Sequence, residues 1–216
     1  ATSVRVIATV DASQITTQSY ELTITSGMAV QDNFVLQAFR LNDLPVSLRP
    51  TYATPYDYII QATLTDQNGN PVPDGTNINF RTDAGSVQGS CSTTQQKTTD
   101  NSDLSGISGG LSGCRVLLRG NQLVTPAAST VNILGYTIGR ESFNDLNGNG
   151  VFDSTDTISL DIPEPSLGGT WFWDFDGNGT KDTVDGLFNG VCDIANPLCS
   201  ARKYAPLSAT IAITIP

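Results

Sequence analysis

The sequence predicts an all-β protein with the architecture of a β-sandwich, and three observations support this prediction. Apolar and polar residues alternate over short runs, which is the period of a strand and not of a helix. About nine or ten of these runs are separated by turns rich in Gly and Pro, which is the pattern of a sandwich. The chain has 216 residues, which is long enough for a core of ordinary size in one large or two small domains.

Predicted strands are distributed along the whole chain. In order, they cover residues 3–10, 20–25, 34–41, 58–65, 76–82, 114–118, 130–138 and 207–215. Prolines mark residues 44–55 as a connection or an edge strand. Residues 88–113 are rich in Ser, Thr, Gly and Gln, and we expect them to form a long mobile loop.

Residues 1–55 form the N-terminal part of the chain and contain no motif that we can place. Two interpretations follow from their strand pattern: a separate small unit, or extra strands of the sandwich. A unit of this size without cysteines makes a marginal core of its own.

Two segments share one spacing of oxygen-bearing side chains. The first loop, residues 145–156, reads DLNGNGVFDSTD, and the second loop, residues 174–185, reads DFDGNGTKDTVD. Both carry such side chains at positions one, three, five, nine and twelve, with Gly at position six. This is the spacing of a calcium loop, in which a hard cation takes about six to eight oxygen ligands.

The residue types at each position fit this chemistry. Gly150 and Gly179 permit the positive φ that the sharp turn requires, and position seven contributes only a backbone carbonyl. Position twelve is Asp in both loops, where Glu is usual. Because Asp is one methylene shorter, binding of the ion by both of its carboxylate oxygens either weakens the affinity or pulls the loop closer around the ion. The predicted Ca²⁺ ligands are Asp145, Asn147, Asn149, Val151, Asp153, Asp156, Asp174, Asp176, Asn178, Thr180, Asp182 and Asp185.

The alternative interpretation of these loops is a pair of simple turns, because Asx-Gly sequences favour turns in any protein. One match to the ligand spacing would leave that alternative standing. Two full matches in one chain favour Ca²⁺ as the cofactor.

Composition excludes several classes of function. Asp and Glu number 21 against 11 Lys and Arg, a net charge of -10, whereas nucleic-acid binding needs a basic face. No stretch has the length and hydropathy of a membrane span. Residues 106–110 match the nucleophile-elbow pattern, but the chain has no His, which rules out Ser-His-Asp and Cys-His mechanisms. We therefore expect no enzymatic activity.

The four cysteines indicate an exported protein with disulfides. A bridge between Cys91 and Cys114 would close the long loop, and one between Cys192 and Cys199 would close a short polar stretch. Four buried free thiols are the alternative. A zinc site is disfavoured, because the chain has neither Cys-x-x-Cys nor His.

Three aromatic residues, Trp171, Phe172 and Trp173, directly precede the second loop. The favoured interpretation is a local apolar core beneath the two loops. A platform that stacks against a sugar is the other interpretation, since aromatic faces also bind ligands.

One stretch in the middle of the chain has a distinctive sequence: DQNGNPVPDGT at residues 66–76, INF at 78–80 and DAGS at 83–86. With these residues the chain resembles a bacterial immunoglobulin-like domain of the invasin/intimin type, called Big-1. The resemblance covers about residues 58–201. It implies an immunoglobulin-like β-sandwich over residues 56–216, with a calcium-binding loop insert at residues 141–185 that exceeds the plain domain.

Two further resemblances concern the cysteines and the loops. In a subgroup of exported proteobacterial proteins, a Ser-Cys such as Ser90-Cys91 pairs with a later Cys, and a segment such as 141–143 leads into a calcium loop. The paired loops also resemble thrombospondin type 3 and dockerin calcium repeats. Residues 157–162 alternate like a strand, whereas dockerins place a helix there, so the dockerin resemblance is set aside.

The resemblance implies a rod-forming or spacer module of a surface protein, and together with the loop spacing it predicts a calcium-stabilised structural or adhesion module of a secreted or cell-surface bacterial protein. Its partners would be neighbouring domains or subunits of a surface assembly, or a host or glycan ligand. One alternative is a subunit of an extracellular filament joined by β-strand donation, in which residues 3–10 would complete a neighbour's sheet. Another alternative is a carbohydrate- or protein-binding tip that uses Trp171, Trp173 and residues 88–113.

Overall fold

The computed structural model describes residues 3–4, 6–10, 15–18, 22–23, 27–43, 57–93, 112–120 and 129–215. Two short 3-10 helices cover Gln31–Asn33 and Leu41–Asp43. The strands are β1 (Ser3–Val4), β2 (Ile7–Val10), β3 (Ile15–Gln18), β4 (Leu22–Thr23), β5 (Phe34–Arg40), β6 (Tyr58–Leu64), β7 (Asn77–Thr82), β8 (Ser86–Val87), β9 (Ser90–Ser92), β10 (Gly113–Arg119), β11 (Ser129–Gly139), β12 (Ser142–Asn144), β13 (Thr157–Leu160), β14 (Ser166–Leu167), β15 (Trp171–Phe172) and β16 (Ala205–Ile215).

The predicted all-β sandwich is confirmed. One four-stranded sheet has the order β5-β6-β10-β8, and the other has the order β16-β11-β7-β9. Neighbouring strands in both sheets are antiparallel. Antiparallel sheets can bury one face and leave the other in water, which explains the alternating sequence pattern.

The main core lies between the two four-stranded sheets. The β5-β6-β10 sheet contributes alternate residues, such as Ile60 and Leu64 of β6 and Val116 of β10, and the facing sheet contributes residues such as Ile133 of β11 and Leu207 of β16. All of these side chains are fully buried. The period-two burial follows from the geometry of a strand, in which successive side chains point to opposite faces.

The N-terminal part of the chain contributes to the sandwich. β5 pairs with β6 along its whole length, from Phe34 opposite Leu64 to Arg40 opposite Tyr58. Residues 34–40 are therefore an extra strand of the sandwich, one of the two interpretations of residues 1–55. Farther upstream, β1 pairs with β4 and β2 pairs with β3, so Ser3–Val4 and Ile7–Val10 have strand partners within their own chain.

The longest predicted strands are confirmed, and one predicted loop is corrected. β11 and β16 pair along their full length, from Ser129 opposite Ile215 to Gly139 opposite Ala205. Within the expected loop at 88–113, Ser90–Ser92 is instead a strand that pairs with β7. Residues 94–111 of that loop and the expected connection at 44–55 lie outside the described residues.

All four cysteines form disulfides, so the alternative of free thiols is wrong. Cys91–Cys114 joins β9 to β10 and thereby links the two sheets of the sandwich. Cys192–Cys199 closes a short loop in the connection between β11 and β16.

The connection between β11 and β16, residues 140–204, has a small apolar core of its own. Phe143, Phe152 and Phe188 pack together, with the rings of Phe152 and Phe188 stacked at 4.5 Å between centroids. Both of these rings are fully buried. The connection also contains the two hairpins β12–β13 and β14–β15 and both acidic loops.

Candidate metal centre in the two acidic loops

The first loop is organised by its leading carboxylate. Asp145 accepts N–H groups from Gly148 and Gly150 at 2.7 Å and from Asn149 at 3.1 Å. Gly148 and Gly150 have φ angles of 74° and 75°, a region that glycine enters without steric cost. The turn around Asp145 thus depends on glycine at these two positions.

The second loop repeats several hydrogen bonds of the first loop at equivalent positions. Asp174 accepts the N–H groups of Asn178 and Gly179 as Asp145 accepts those of Asn149 and Gly150. The residue at position three accepts the N–H of position five in both loops. The Asn at position five accepts the N–H of position seven and donates its side-chain amide to the Asp at position nine. Two separate segments therefore fold to one local geometry.

A closing carboxylate completes each loop by accepting the backbone N–H groups of positions two and nine. In the first loop it is Asp156, which accepts from Leu146 and Asp153, both at 2.9 Å. In the second loop it is Glu164, which accepts from Phe175 at 2.5 Å and from Asp182 at 3.1 Å. Glu164 lies before the second loop in the sequence, so this loop is closed from outside.

Asp185, the predicted ligand at position twelve of the second loop, has a different place. Its carboxylate accepts the N–H of Leu187 at 2.9 Å. It lines the same cavity as Glu164 and Asp182 but does not hold the amides of positions two and nine. The residue that occupies the place of Asp156 in the second loop is Glu164.

Three carboxylates converge at the second loop and could hold a metal ion. One oxygen of each of Glu164, Asp176 and Asp182 lies within 4.8 Å of the others. Glu164 is buried and Asp182 is partly buried, whereas Asp176 is exposed as a residue although its side chain is only 21% exposed. Three like charges at this separation repel one another unless a cation offsets them. Of the predicted ligands, Asp176 and Asp182 belong to this triad.

Two carboxyl groups of the loops have lowered pKa values. At Asp153, hydrogen bonds from the backbone and the hydroxyl of Thr155, and then from Asn147, lower the pKa to about 2. At Asp176, burial raises the pKa, but the N–H of Asn178 and the guanidinium of Arg202 together outweigh burial, so the pKa is lowered. Both groups therefore carry a negative charge at neutral pH.

The two loops rest on a buried scaffold. The backbone of Phe152, at position eight of the first loop, forms an isolated β-bridge with Cys192, the first cysteine of the short disulfide loop. Glu141 is fully buried and accepts N–H groups from Ile162 at 3.1 Å and Asn189 at 2.7 Å. One carboxylate thus ties together the start, the middle and the end of the connection, and burial raises its pKa to about 7.

The aromatic residues before the second loop do not form the core beneath the loops, which consists of three Phe side chains instead. Trp171 and Trp173 are half-buried and pack on Tyr136 of β11, at 5.4 and 4.9 Å between ring centroids. Arg81 lies over the ring of Trp171 at 4.6 Å, and Phe175 meets Trp173 edge-on at 5.2 Å. These rings attach the second loop to the outer face of the sheet.

Sequence reasoning missed the roles of Glu164, Glu141 and Arg202. Glu164 stands alone between Pro163 and Pro165, outside any ligand spacing, and the fold brings it to the second loop. The sequence marks Glu141 only as the start of the insert. A long-range contact of a single residue leaves no period or spacing in the sequence, so these roles required the structure.

Comparisons with known proteins identify no relative. No protein-family model, no curated protein and no solved structure matches the chain. In the part of the chain that the structure describes, no helix has the length and hydropathy needed to cross a membrane.

Proposed function

We propose that the chain is a calcium-stabilised structural and adhesion module of an exported bacterial surface protein. The observation that carries this proposal is the repetition of one geometry in two loops. In each loop, equivalent backbone amides are held by the carboxylate at position one and by a closing carboxylate. Repetition of a ligand arrangement at two sites is unexpected for turns that only reverse the chain.

The donor set favours calcium among the common metals. The predicted ligands are carboxylate, amide and carbonyl oxygens, with neither His nor free Cys. Oxygen donors suit hard cations, and calcium tolerates the irregular and bidentate coordination that such loops offer. The ligand set of the second loop is then Asp174, Asp176, Asn178, Thr180, Asp182 and Glu164, with Glu164 in place of Asp185.

The role of the ion in this proposal is mechanical. The chain has a net charge of -10, and part of that excess lies in the two loops. A bound cation offsets the repulsion between these carboxylates and fixes residues 140–204 on the sandwich. Because an ion that binds only the folded state stabilises that state, calcium raises resistance to heat and proteases.

The disulfides and the Big-1 resemblance support the proposed setting of the module. Two disulfides fit an oxidising environment outside the cytoplasm. The resemblance over residues 66–86 supports a module that stands between neighbouring domains of a surface protein. In this proposal no residue performs catalysis.

The proposal is tested by thermal unfolding of the non-reduced protein in millimolar calcium and in EDTA. At a calcium concentration of 100 times Kd, each site adds about 2.7 kcal/mol, which corresponds to about 5–10 °C in Tm for a chain of this size. Asp145→Asn and Asp174→Asn each keep an acceptor oxygen but remove a charge. We expect each to lower Tm strongly in calcium and weakly in EDTA.

Two outcomes contradict the proposal. An identical Tm in calcium and EDTA means that the loops are turns without a metal. Equal losses for Asp145→Asn and Asp174→Asn in both media mean that these residues act only through the hydrogen bonds within their loops.

The two alternative functions have less support. The filament hypothesis requires an unpaired strand at residues 3–10, and the strands described there, Ser3–Val4 and Ile7–Val10, pair within the chain. The hypothesis of a binding tip requires an exposed pair of Trp side chains, and both are half-buried against Tyr136. The structural module is therefore the function that we propose.

A further inference from the structure

A cationic side chain, that of Arg202, pairs with one carboxylate of the triad at the second loop. Arg202 donates from Nη2 to Oδ2 of Asp176 at 2.7 Å. Its side chain is 49% exposed, whereas that of Asp176 is only 21% exposed. The backbone N–H of Arg202 is bonded to the hydroxyl of Ser200, close to the disulfide at Cys199, so the guanidinium reaches the loop from an anchored segment.

Among the described residues no cation pairs with a carboxylate of the first loop, although Arg140 and Lys203 line a cavity together with Asp145. At position three, where the second loop has Asp176, the first loop has the neutral Asn147, which donates its amide to Asp153 at 2.8 Å. No Lys or Arg of the described part of the chain forms an ion pair with the carboxylates of the first loop. The two loops share the hydrogen bonds made by their side chains at positions one and five, and among the described residues only the second has a cation paired with one of its carboxylates.

We propose that Arg202 is a tethered counter-cation of the second loop, which holds Asp176 when no metal is bound and must release it when a metal ion enters. This inference rests on the proposed function of the loops as calcium sites. Asp176 is both a member of the converging triad and the acceptor of the guanidinium. A guanidinium and a divalent cation on one carboxylate repel each other, so the two compete.

The surroundings of Arg202 permit this exchange. With Glu164, Asp182 and Asp185, it lines a cavity of about 270 Å³ that opens at the second loop. The guanidinium offsets part of the repulsion within the triad, so the loop keeps its shape without a metal. Competition then lowers the affinity of the second loop for calcium and leaves that of the first loop unchanged.

The experiment measures calcium binding by titration calorimetry at one loop at a time. Asp145→Asn with Asp153→Asn disables the first loop, and Asp174→Asn with Asp182→Asn disables the second. Arg202→Gln is added to each background. Since an exposed ion pair contributes little, we expect Arg202→Gln to tighten binding at the second loop by about two- to fivefold and to leave the first loop unchanged.

Two controls separate competition from a merely structural role of Arg202. Arg202→Lys keeps the charge and should keep an affinity close to that of the parent. In EDTA, Arg202→Gln should lower Tm, because the guanidinium is then the counter-cation of Asp176. In saturating calcium, Arg202→Gln should leave Tm unchanged, because the ion takes that place. A structural role lowers Tm equally in both media.

The outcomes distinguish this inference from the proposed function. If calcium still binds and Arg202→Gln leaves the affinity of the second loop unchanged, the counter-cation role is overturned. Weaker binding on Arg202→Gln overturns it as well. Absence of calcium binding in the parent and in every variant overturns the proposed function itself.

Discussion

At the scale of single residues, the length of the closing carboxylate distinguishes the two loops. Asp156 reaches the amides of positions two and nine from within its own loop. Glu164 reaches the equivalent amides from a neighbouring segment, and its extra methylene gives it the longer reach. The usual Glu at position twelve of a calcium loop serves as a bidentate ligand. The second loop thus obtains a Glu by folding and not by sequence order.

This arrangement predicts that Glu164, and not Asp185, sets the calcium affinity of the second loop. Glu164→Gln should weaken binding there by at least about tenfold, because it removes a charged ligand. Asp185→Asn is the matched control and should change the affinity less than about twofold. Calcium titrations of the two variants, with the first loop disabled, test the prediction. A larger effect of Asp185→Asn than of Glu164→Gln would instead support Asp185 as the ligand, as the sequence spacing predicts.

We expect Glu141 to give the protein a pH dependence whose sign follows from the direction of its pKa shift. Burial raises its pKa from 4.5 to about 7, so the folded state binds this proton more tightly than the unfolded chain does. The resulting stabilisation is complete below pH 4.5 and is lost as the pH rises to about 7. The full difference corresponds to about 3 kcal/mol.

The test compares Glu141→Gln with the parent protein in EDTA. Gln carries no proton that titrates, so the variant should lose this part of the pH dependence. Free energies of unfolding in urea at about pH 5 and pH 8, on either side of the raised pKa, should therefore differ less in the variant than in the parent. If both proteins show the same difference between the two pH values, Glu141 is ionised in the folded state at both.

The residue scale also shows what the sequence could and could not predict about the site. The sequence could supply candidate ligands within each loop, because a metal loop places its oxygens at fixed offsets along a continuous segment, and calcium binding by them stays a prediction. Glu164 and Arg202 were not predictable, because each meets the second loop through the fold. Spacing rules describe contacts within one segment and say nothing about contacts between segments.

At the scale of elements, the pairing of β11 with β16 depends on the close approach of Gly139 to Leu207 and to the backbone of Ala29. A Cβ atom at Gly139 would lie 2.2 Å from Cδ1 of Leu207 and 2.4 Å from the carbonyl oxygen of Ala29. No side chain fits there without moving backbone atoms. Glycine thus lets the end of β11 contact both β16 and the segment before β5.

Gly139→Ala should therefore lower the free energy of unfolding by at least about 1–3 kcal/mol, the usual cost of overpacking. Gly89→Ala is the control, because a Cβ atom at Gly89 would meet no atom within 4 Å and its φ is not positive. Urea unfolding of both variants measures the effect. Equal stability of the two variants would mean that the strands separate at Gly139 at little cost.

Element length decided which strands the sequence could predict. Long strands such as β6, β11 and β16 show several apolar alternations, and their bounds differ from the predicted ones by one or two residues. β9, β14 and β15 have only two or three residues. A run this short contains at most one alternation of apolar and polar residues, which also arises by chance. The formation of these strands therefore depends on tertiary pairing.

At the scale of the whole molecule, the two disulfides differ in what they join. Cys91–Cys114 links strands of opposite sheets across 23 positions, whereas Cys192–Cys199 closes a local loop across 7. In the chain-entropy model the first contributes about 3 kcal/mol and the second about 1 kcal/mol less. Paired Cys→Ala variants should reproduce this order in urea unfolding. Greater loss from Cys192→Ala with Cys199→Ala would show that the loop region limits global stability.

The class of the fold was predictable at this scale, and the arrangement of its N-terminal part was not. Alternation and turn composition pointed to a sandwich, and two facing sheets confirm it. Alternation at residues 34–41 could not say whether the strand belongs to the sandwich or to a separate unit. That choice depends on which partner edge is available, and β6 supplies it.

The register of β11 and β16 has a consequence for how the molecule could be rebuilt. Gly139 and Ala205 face each other as the last pair of the ladder, so residues 140–204 leave and re-enter the sandwich at one point. In topological terms both acidic loops, the short disulfide and the Phe cluster are the tip of a single β-hairpin. The chain ends that would remain after excision of this tip are already close enough for a tight turn to join them. The same proximity makes the tip a candidate for transplantation onto any antiparallel hairpin of another sandwich.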